Sequence, residues 1–200
     1  MSEANNSVIA GAKSAETLLQ AVGEQLAAAG ERFDIVVVGG SALLVLGLTR
    51  RPTGDVDLVA LMQDDAVTPA DPLPDALAES SRLVARDFDL PENWLNGGPT
   101  SLLDFGLPER FMERCEIRDY GGALTVRFAS RLDQIHLKLY AMVDRGPGRH
   151  EQDLRALEPA REELIAAARW TRSHDPSEGY LGELRSALAH LGVEDAELDA

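Results

Sequence analysis

Three groups of residues in this chain have the types and spacing to do chemistry. The first is Gly39-Gly40-Ser41, which directly follows the β-branched run FDIVVV at 33–38. Glycines permit sharp turning and close backbone approach by a ligand. A helix opening here would present free N–H groups and the positive end of its dipole, which suit a phosphate, and Ser41 adds a hydroxyl. The stretch has neither the Gly-Lys-Ser/Thr of a Walker loop nor the G-x-G-x-x-G of a dinucleotide fingerprint. Taken alone, it reads first as a structural turn. The second group is Asp55 and Asp57. On a strand, positions i and i+2 project to one face. Two adjacent carboxylates repel, more so when buried, so a pair set among Val56, Leu58 and Val59 asks for a cation. Mg²⁺, or Mn²⁺ in its place, takes oxygen ligands and commonly uses one or two carboxylates plus substrate phosphates. An exposed edge strand with a solvated acidic face would carry the same two residues. Reading turn and strand as neighbours favours the metal, because phosphate cradle and ligands then converge.

The third group centres on Lys138. It is one of two lysines, with Lys13, in a chain whose other cations are arginines. The pattern of 130–145 predicts a helix capped by Ser130, with Leu132, Ile135, Leu139, Met142 and Val143 forming one apolar stripe. Lys138 borders that stripe, and Arg131 and Arg145 share its face. An ordinary basic helix face around a core gives the same pattern.

Gly39-Gly40-Ser41 followed by Arg51-Pro52-Thr53-Gly54-Asp55-Val56-Asp57 resembles the signature of the minimal nucleotidyltransferase superfamily. It is similar in particular to the small bacterial branch that includes toxins of type IV toxin–antitoxin systems. That branch pairs R-x-T-x-D-x-D with a downstream helical lysine and then an aspartate. Here Lys138 in HLKLYAMVDR and Asp153 in HEQDLRAL match, and Trp94-Leu95-Asn96 is also similar. The resemblance covers about 30–158.

It implies a Mg²⁺-dependent nucleotidyltransferase that moves an NMP from an NTP such as ATP to an acceptor. Gly39, Gly40, Ser41, Arg51 and Thr53 would bind nucleotide, and Asp55 and Asp57 would hold the metal. Lys138 would neutralise phosphate charge as pyrophosphate leaves, and Asp153 would complete the catalytic set. The branch implies tRNA ends or protein side chains as acceptors, beside small molecules, and a cognate antitoxin as partner. The alternative is a nucleotide- or partner-binding module of the same fold without turnover. Read from the residues alone, Asp153 is equally a surface partner for Arg149 or Arg155. Many such enzymes carry a third acid on a late strand. Here 123–128 has none and 116–120 offers only Glu116 and Asp119.

The elements that must position these groups follow from periodicity and punctuation. Helices are expected at 14–29 (Ser14 cap, Gly30 stop), 41–48, 75–88, 130–145, 150–157, 159–173 and 177–191. Strands are expected at 33–38, 55–61, 116–120 and 123–128, the last two joined through Gly121-Gly122, with a loop at 62–75 and an irregular stretch at 90–110. The fold class is therefore α/β (α+β). A nucleotidyltransferase-like mixed sheet core flanked by helices (1–129) is followed by a helical C-terminal part (130–200) packed on it. The acidic tail 194–200 reads as a frayed end. His136 reads as a packed core-edge residue and Trp170 as packing the C-terminal helices. Phe105, Phe111, Tyr120 and Phe128 read as core or loop anchors. The four histidines show no zinc-like spacing with Cys115.

Composition agrees with a globular domain. The chain has 200 residues, 44% hydrophobic and 26% charged, with a formal net charge of −15. That balance argues against a broad nucleic-acid surface, including tRNA, because phosphate contacts need clustered Lys and Arg. The acid is concentrated in 64–79 and 177–200. No run approaches the roughly 18 apolar residues of a membrane span, and the start lacks a basic-then-apolar signal peptide. With a single cysteine, a cytoplasmic location is expected.

Overall fold

The computed structural model describes residues 8–64, 66–194 and 197–198. It divides into two compact units, Met1–Ala129 and Ser130–Ala200. The first unit is built on a mixed sheet in the order β3-β2-β1-β6-β5, with a short β4 added to β2. The strands are β1 (Phe33–Val38), β2 (Val56–Gln63), β3 (Ala66–Thr68), β4 (Leu95–Asn96), β5 (Glu116–Tyr120) and β6 (Leu124–Phe128). β1 lies antiparallel to β2 and parallel to β6, while β5 and β6 form the expected hairpin. The run Ile35–Val38 is buried, as the central strand of a covered sheet requires.

Around the sheet lie α1 (Ala12–Ala29), α2 (Gly39–Val45), α3 (Asp75–Asp87), α4 (Leu102–Phe105) and α5 (Phe111–Arg114), with a 3-10 turn at Gly98–Ser101. α1 buries Leu18, Leu19, Val22 and Leu26, an i, i+1, i+4, i+8 stripe. It ends at Gly30 in the left-handed region, as expected, but starts at Ala12. Gly11 stands at its N-cap position, and Ser14 lies inside the first turn. The acidic segment after β2 turns back as β3 rather than forming a loop throughout. Phe111, Tyr120 and Phe128 are buried, whereas Phe105 is 50% exposed.

The second unit is helical: α6 (Arg131–Arg145), α7 (Arg149–Ala156), α8 (Arg161–His174) and α9 (Glu178–His190). Ser130 caps α6 by accepting from the Asp133 N–H at 3.3 Å. Trp170 packs edge-on against His136, Tyr140 and His174, with ring centroids 4.3–6.1 Å apart. Of the tail, residues 195, 196, 199 and 200 lie outside the described residues. The described part is not frayed: Leu198 is buried, and Arg169 donates to the Glu197 carbonyl at 3.2 Å. Among the described residues, no helix is long and apolar enough to cross a membrane.

Candidate functional site

Two clusters hold the chemistry-bearing side chains, one in each unit. The first is built where β1 ends. Val38 pairs with Asp57 across the antiparallel ladder, and the strand then turns into α2 at Gly39. The register slips between Val36 and Val37, so Val59 of β2 has no cross-strand partner in this pairing. Such a bulge decides which face the residues beyond it present, and here those residues include Asp57. The carbonyl of the bulged Val59 is held by the Thr100 hydroxyl at 3.2 Å.

Gly39 has φ +76°, and a Cβ placed there would come within 2.8 Å of Asp57 Oδ2. Only glycine lets this backbone and that carboxylate approach. A Cβ on Gly40 would meet Thr53 Oγ1 at 2.9 Å and stand 3.7 Å from Arg51 Nη2. Thr53 in turn donates its hydroxyl to Asp55 Oδ1 at 2.9 Å. Gly39, Gly40, Arg51, Thr53, Asp55 and Asp57 therefore form one contiguous cluster. Asp55 is not on the strand, as the i, i+2 expectation had it, because β2 begins at Val56. It sits in the preceding loop, held by Thr53.

That loop is itself pinned. Ile9 and Thr53 exchange two backbone hydrogen bonds, 2.7 and 3.1 Å, in an isolated bridge. Ile9 is 1% exposed, so its apolar anchor fixes the loop bearing Thr53 and Asp55. Ser41 lies inside α2, 2% exposed, and its hydroxyl has no hydrogen-bond partner among the described residues. A buried hydroxyl left so is costly.

Asn96 joins this cluster although sequence gave it only through the Trp94-Leu95-Asn96 similarity. Trp94 is buried and donates its indole N–H to the Ser81 carbonyl at 3.0 Å. That anchor sets β4 beside β2, in the register Val56↔Leu95 and Asp57↔Asn96. Asn96 Nδ2 donates to Asp57 Oδ1 at 3.3 Å.

The ligand set is all oxygen: two carboxylates, with the Thr53 hydroxyl beside them. Among the described residues no three His, Cys, Asp or Glu side chains gather around one point. The set fits a hard cation held by two carboxylates and completed by phosphates. Glu116 and Asp119 are engaged elsewhere, with Arg118 at 2.6 Å and the Thr125 hydroxyl at 2.7 Å.

The second cluster lies within the helical unit. Lys138 Nζ and Asp153 Oδ2 are 2.7 Å apart, with side chains 8% and 1% exposed. Asp153 thus pairs with Lys138 and is buried, where the surface reading had it exposed beside Arg149 or Arg155. Arg155 binds Glu151 instead, at 2.8 Å. Nor is Lys138 on a narrow border between stripe and solvent. Residues 133–139 of α6 are all buried, because α7, α8 and α9 each touch the helix. The three cations also do not share one environment, since Arg145 is exposed. Arg131 is bidentate to Glu163 at 2.7 and 3.0 Å, and Arg145 faces Asp144 at 3.5 Å.

His150 adjoins this pair and had no sequence signal. Burial, then the charges of Lys138, Arg149 and Arg145, hold its imidazole down at about 4. Its Nδ1 is buried without a partner among the described residues. The unfolded chain takes up this proton near 6.5, before the folded one does. Stability is therefore whole above that pH and falls as pH drops towards about 4. His150→Gln is expected to give a shallower loss of stability between those two values, measured by denaturant unfolding across pH. Parallel curves for the two proteins would contradict this.

A family model described as "Nucleotidyltransferase of unknown function (DUF6036)" matches residues 16–156. No curated protein and no solved structure shows a significant match to the chain.

Proposed function

The chain belongs to this family of nucleotidyltransferases, and on that premise we propose that it moves an NMP from an NTP to an acceptor with Mg²⁺ held at Asp55 and Asp57. The observation that carries the reading is the contact of Gly39 with the Asp57 carboxylate and of Gly40 with Thr53, itself bonded to Asp55. Backbone without side chains, two carboxylates and the Arg51 guanidinium stand together, as phosphate and metal require. The unpartnered Ser41 hydroxyl supports the same placement. When bound, Mg²⁺ supplies a Lewis acid that offsets charge on the phosphoryl oxygens.

The chain's own work is positioning and electrostatics. The bare backbone at Gly39 and Gly40 admits the triphosphate. Arg51 draws phosphate charge to that turn, and Thr53 holds Asp55 in place. The acceptor oxygen bonds to the α-phosphorus, the bond to the bridging oxygen breaks, pyrophosphate leaves and the acceptor gives up its proton. Lys138 and Asp153 enter the proposal through their match to the family-branch lysine and aspartate. RNA ends, protein side chains and small molecules all present suitable acceptor groups. The acidic balance of −15 favours the latter two. A toxin role with a cognate antitoxin belongs to the proposal on the strength of the motif resemblance.

Gly40→Val tests the cradle. It is expected to weaken triphosphate binding about tenfold or more, a loss of roughly 1.4 kcal/mol, and to leave the bare nucleoside nearly unaffected. Calorimetric titration with both ligands reads the difference. Equal weakening of both would contradict the phosphate cradle.

A further inference from the structure

We infer that Asn96 is a positioning residue for Asp57: its amide fixes the rotamer in which the Asp57 carboxylate meets the metal. The inference rests on the proposed metal reading of Asp55 and Asp57. Asn96 Oδ1 accepts the Gly98 N–H at 2.9 Å, which leaves the Nδ2 end of the amide to donate, and it does so to Asp57 Oδ1 at 3.3 Å. The other carboxylate oxygen, Oδ2, is the one that faces Gly39. Asp57 is thus held between an amide on one oxygen and a bare backbone at the other.

The amide is in turn held by its own strand. β4 contributes two residues only, and both are in register with the start of β2. Trp94, 1% exposed, locks the segment from behind. A Cβ on Gly98 would lie 2.9 Å from Asn96 Oδ1, so Gly98 leaves the amide room to adopt this orientation. A neutral donor suits this place. It stabilises a carboxylate without adding a charge that would repel the metal, as an arginine or lysine would. Outer partners of this kind set the orientation and basicity of a ligating carboxylate, and their loss costs 10–100-fold in metal affinity.

Two variants perturb the amide independently. Asn96→Leu removes the donor while keeping the branching at Cγ, and Gly98→Ala presses on the amide without removing a group. Mn²⁺ is the probe, titrated into the full chain with bound and free ion distinguished by electron paramagnetic resonance. Asn96→Leu is expected to weaken Mn²⁺ binding about 10-fold or more, and Gly98→Ala in the same direction by less. Metal-free unfolding midpoints should match wild type for both, which a merely structural role for Asn96 does not give. If Asp57→Asn loses Mn²⁺ while Asn96→Leu binds it as wild type does, this inference falls and the metal reading stands. If wild type and Asp57→Asn bind Mn²⁺ alike, the metal reading falls and takes the inference with it. Lowered metal-free midpoints in both Asn96→Leu and Gly98→Ala, with unchanged affinity, would make Asn96 structural and overturn the inference.

Discussion

Asp57→Asn is expected to remove divalent-metal-dependent nucleotide binding and to lower nucleotidyl transfer by more than about 100-fold, beyond the range for outer-shell partners. The substitution keeps the shape of the side chain, and its oxygen still accepts the Asn96 amide. What it removes is one of two neighbouring charges, the part a cation needs. The fold should survive, with stability equal to wild type or slightly raised, since carboxylate repulsion is relieved. Metal titrations and unfolding curves on the same preparation separate the two effects. Mg²⁺ that still tightened NTP binding to the Asp55→Asn, Asp57→Asn double variant would refute the assignment.

The second large effect concerns stability. Lys138 and Asp153 are 2.7 Å apart with almost no exposure, so each neutralises a charge that has left water. Removing one partner strands the other. Asp153→Ala or Lys138→Met alone is expected to cost about 3–5 kcal/mol. Replacing both, as Lys138→Met with Asp153→Leu, should recover most of that loss, because two apolar side chains leave no charge to solvate. Denaturant unfolding of the two single variants and the double variant measures the coupling. A single variant costing less than about 1 kcal/mol would mean the pair behaves as a surface one. The refolded double variant also separates fold from reaction: the proposal expects it to fold and to fail in transfer.

What could be read from the sequence follows the length scale of each signal. The run 33–38 declares a buried strand because five of its six residues are apolar or β-branched, and β1 has those bounds. The hairpin at 116–128 and the Ser130 cap are equally local, being set by Gly121-Gly122 and by a hydroxyl one residue before a helix. The mixed sheet with helices around it and a helical C-terminal part follows from such elements. β3 and β4 were not legible, since strands of three and two residues are too short to show a period. The place of Asp55 depended on where β2 begins, a boundary that alternation does not fix. The breadth of burial on α6 was hidden for another reason. A helix touched by several others buries polar positions such as Asp133, Gln134 and Lys138, which a single-stripe reading assigns to solvent.

The candidate site divides in the same way. Gly39, Gly40, Asp55 and Asp57 stood out because their types are unusual for their local pattern. Asn96 reached Asp57 only through strand pairing across 39 positions, and Asp153 reached Lys138 across a helix end at Gly146. Ile9 is an unremarkable apolar residue until its bridge to Thr53 is seen.

The central claim is nucleotidyl transfer at the Asp55–Asp57 cluster, and one measurement addresses it most directly. The full chain is incubated with Mg²⁺ and each NTP, labelled in parallel at the α- or the γ-phosphate, with total RNA, total soluble protein and a small-molecule extract as acceptors. The account predicts label carried to an acceptor, precipitable or soluble, from the α position only, pyrophosphate released in equal amount, and loss of both with Asp57→Asn. Absence of α-label and pyrophosphate with every NTP, or the same yields from Asp57→Asn, would contradict it.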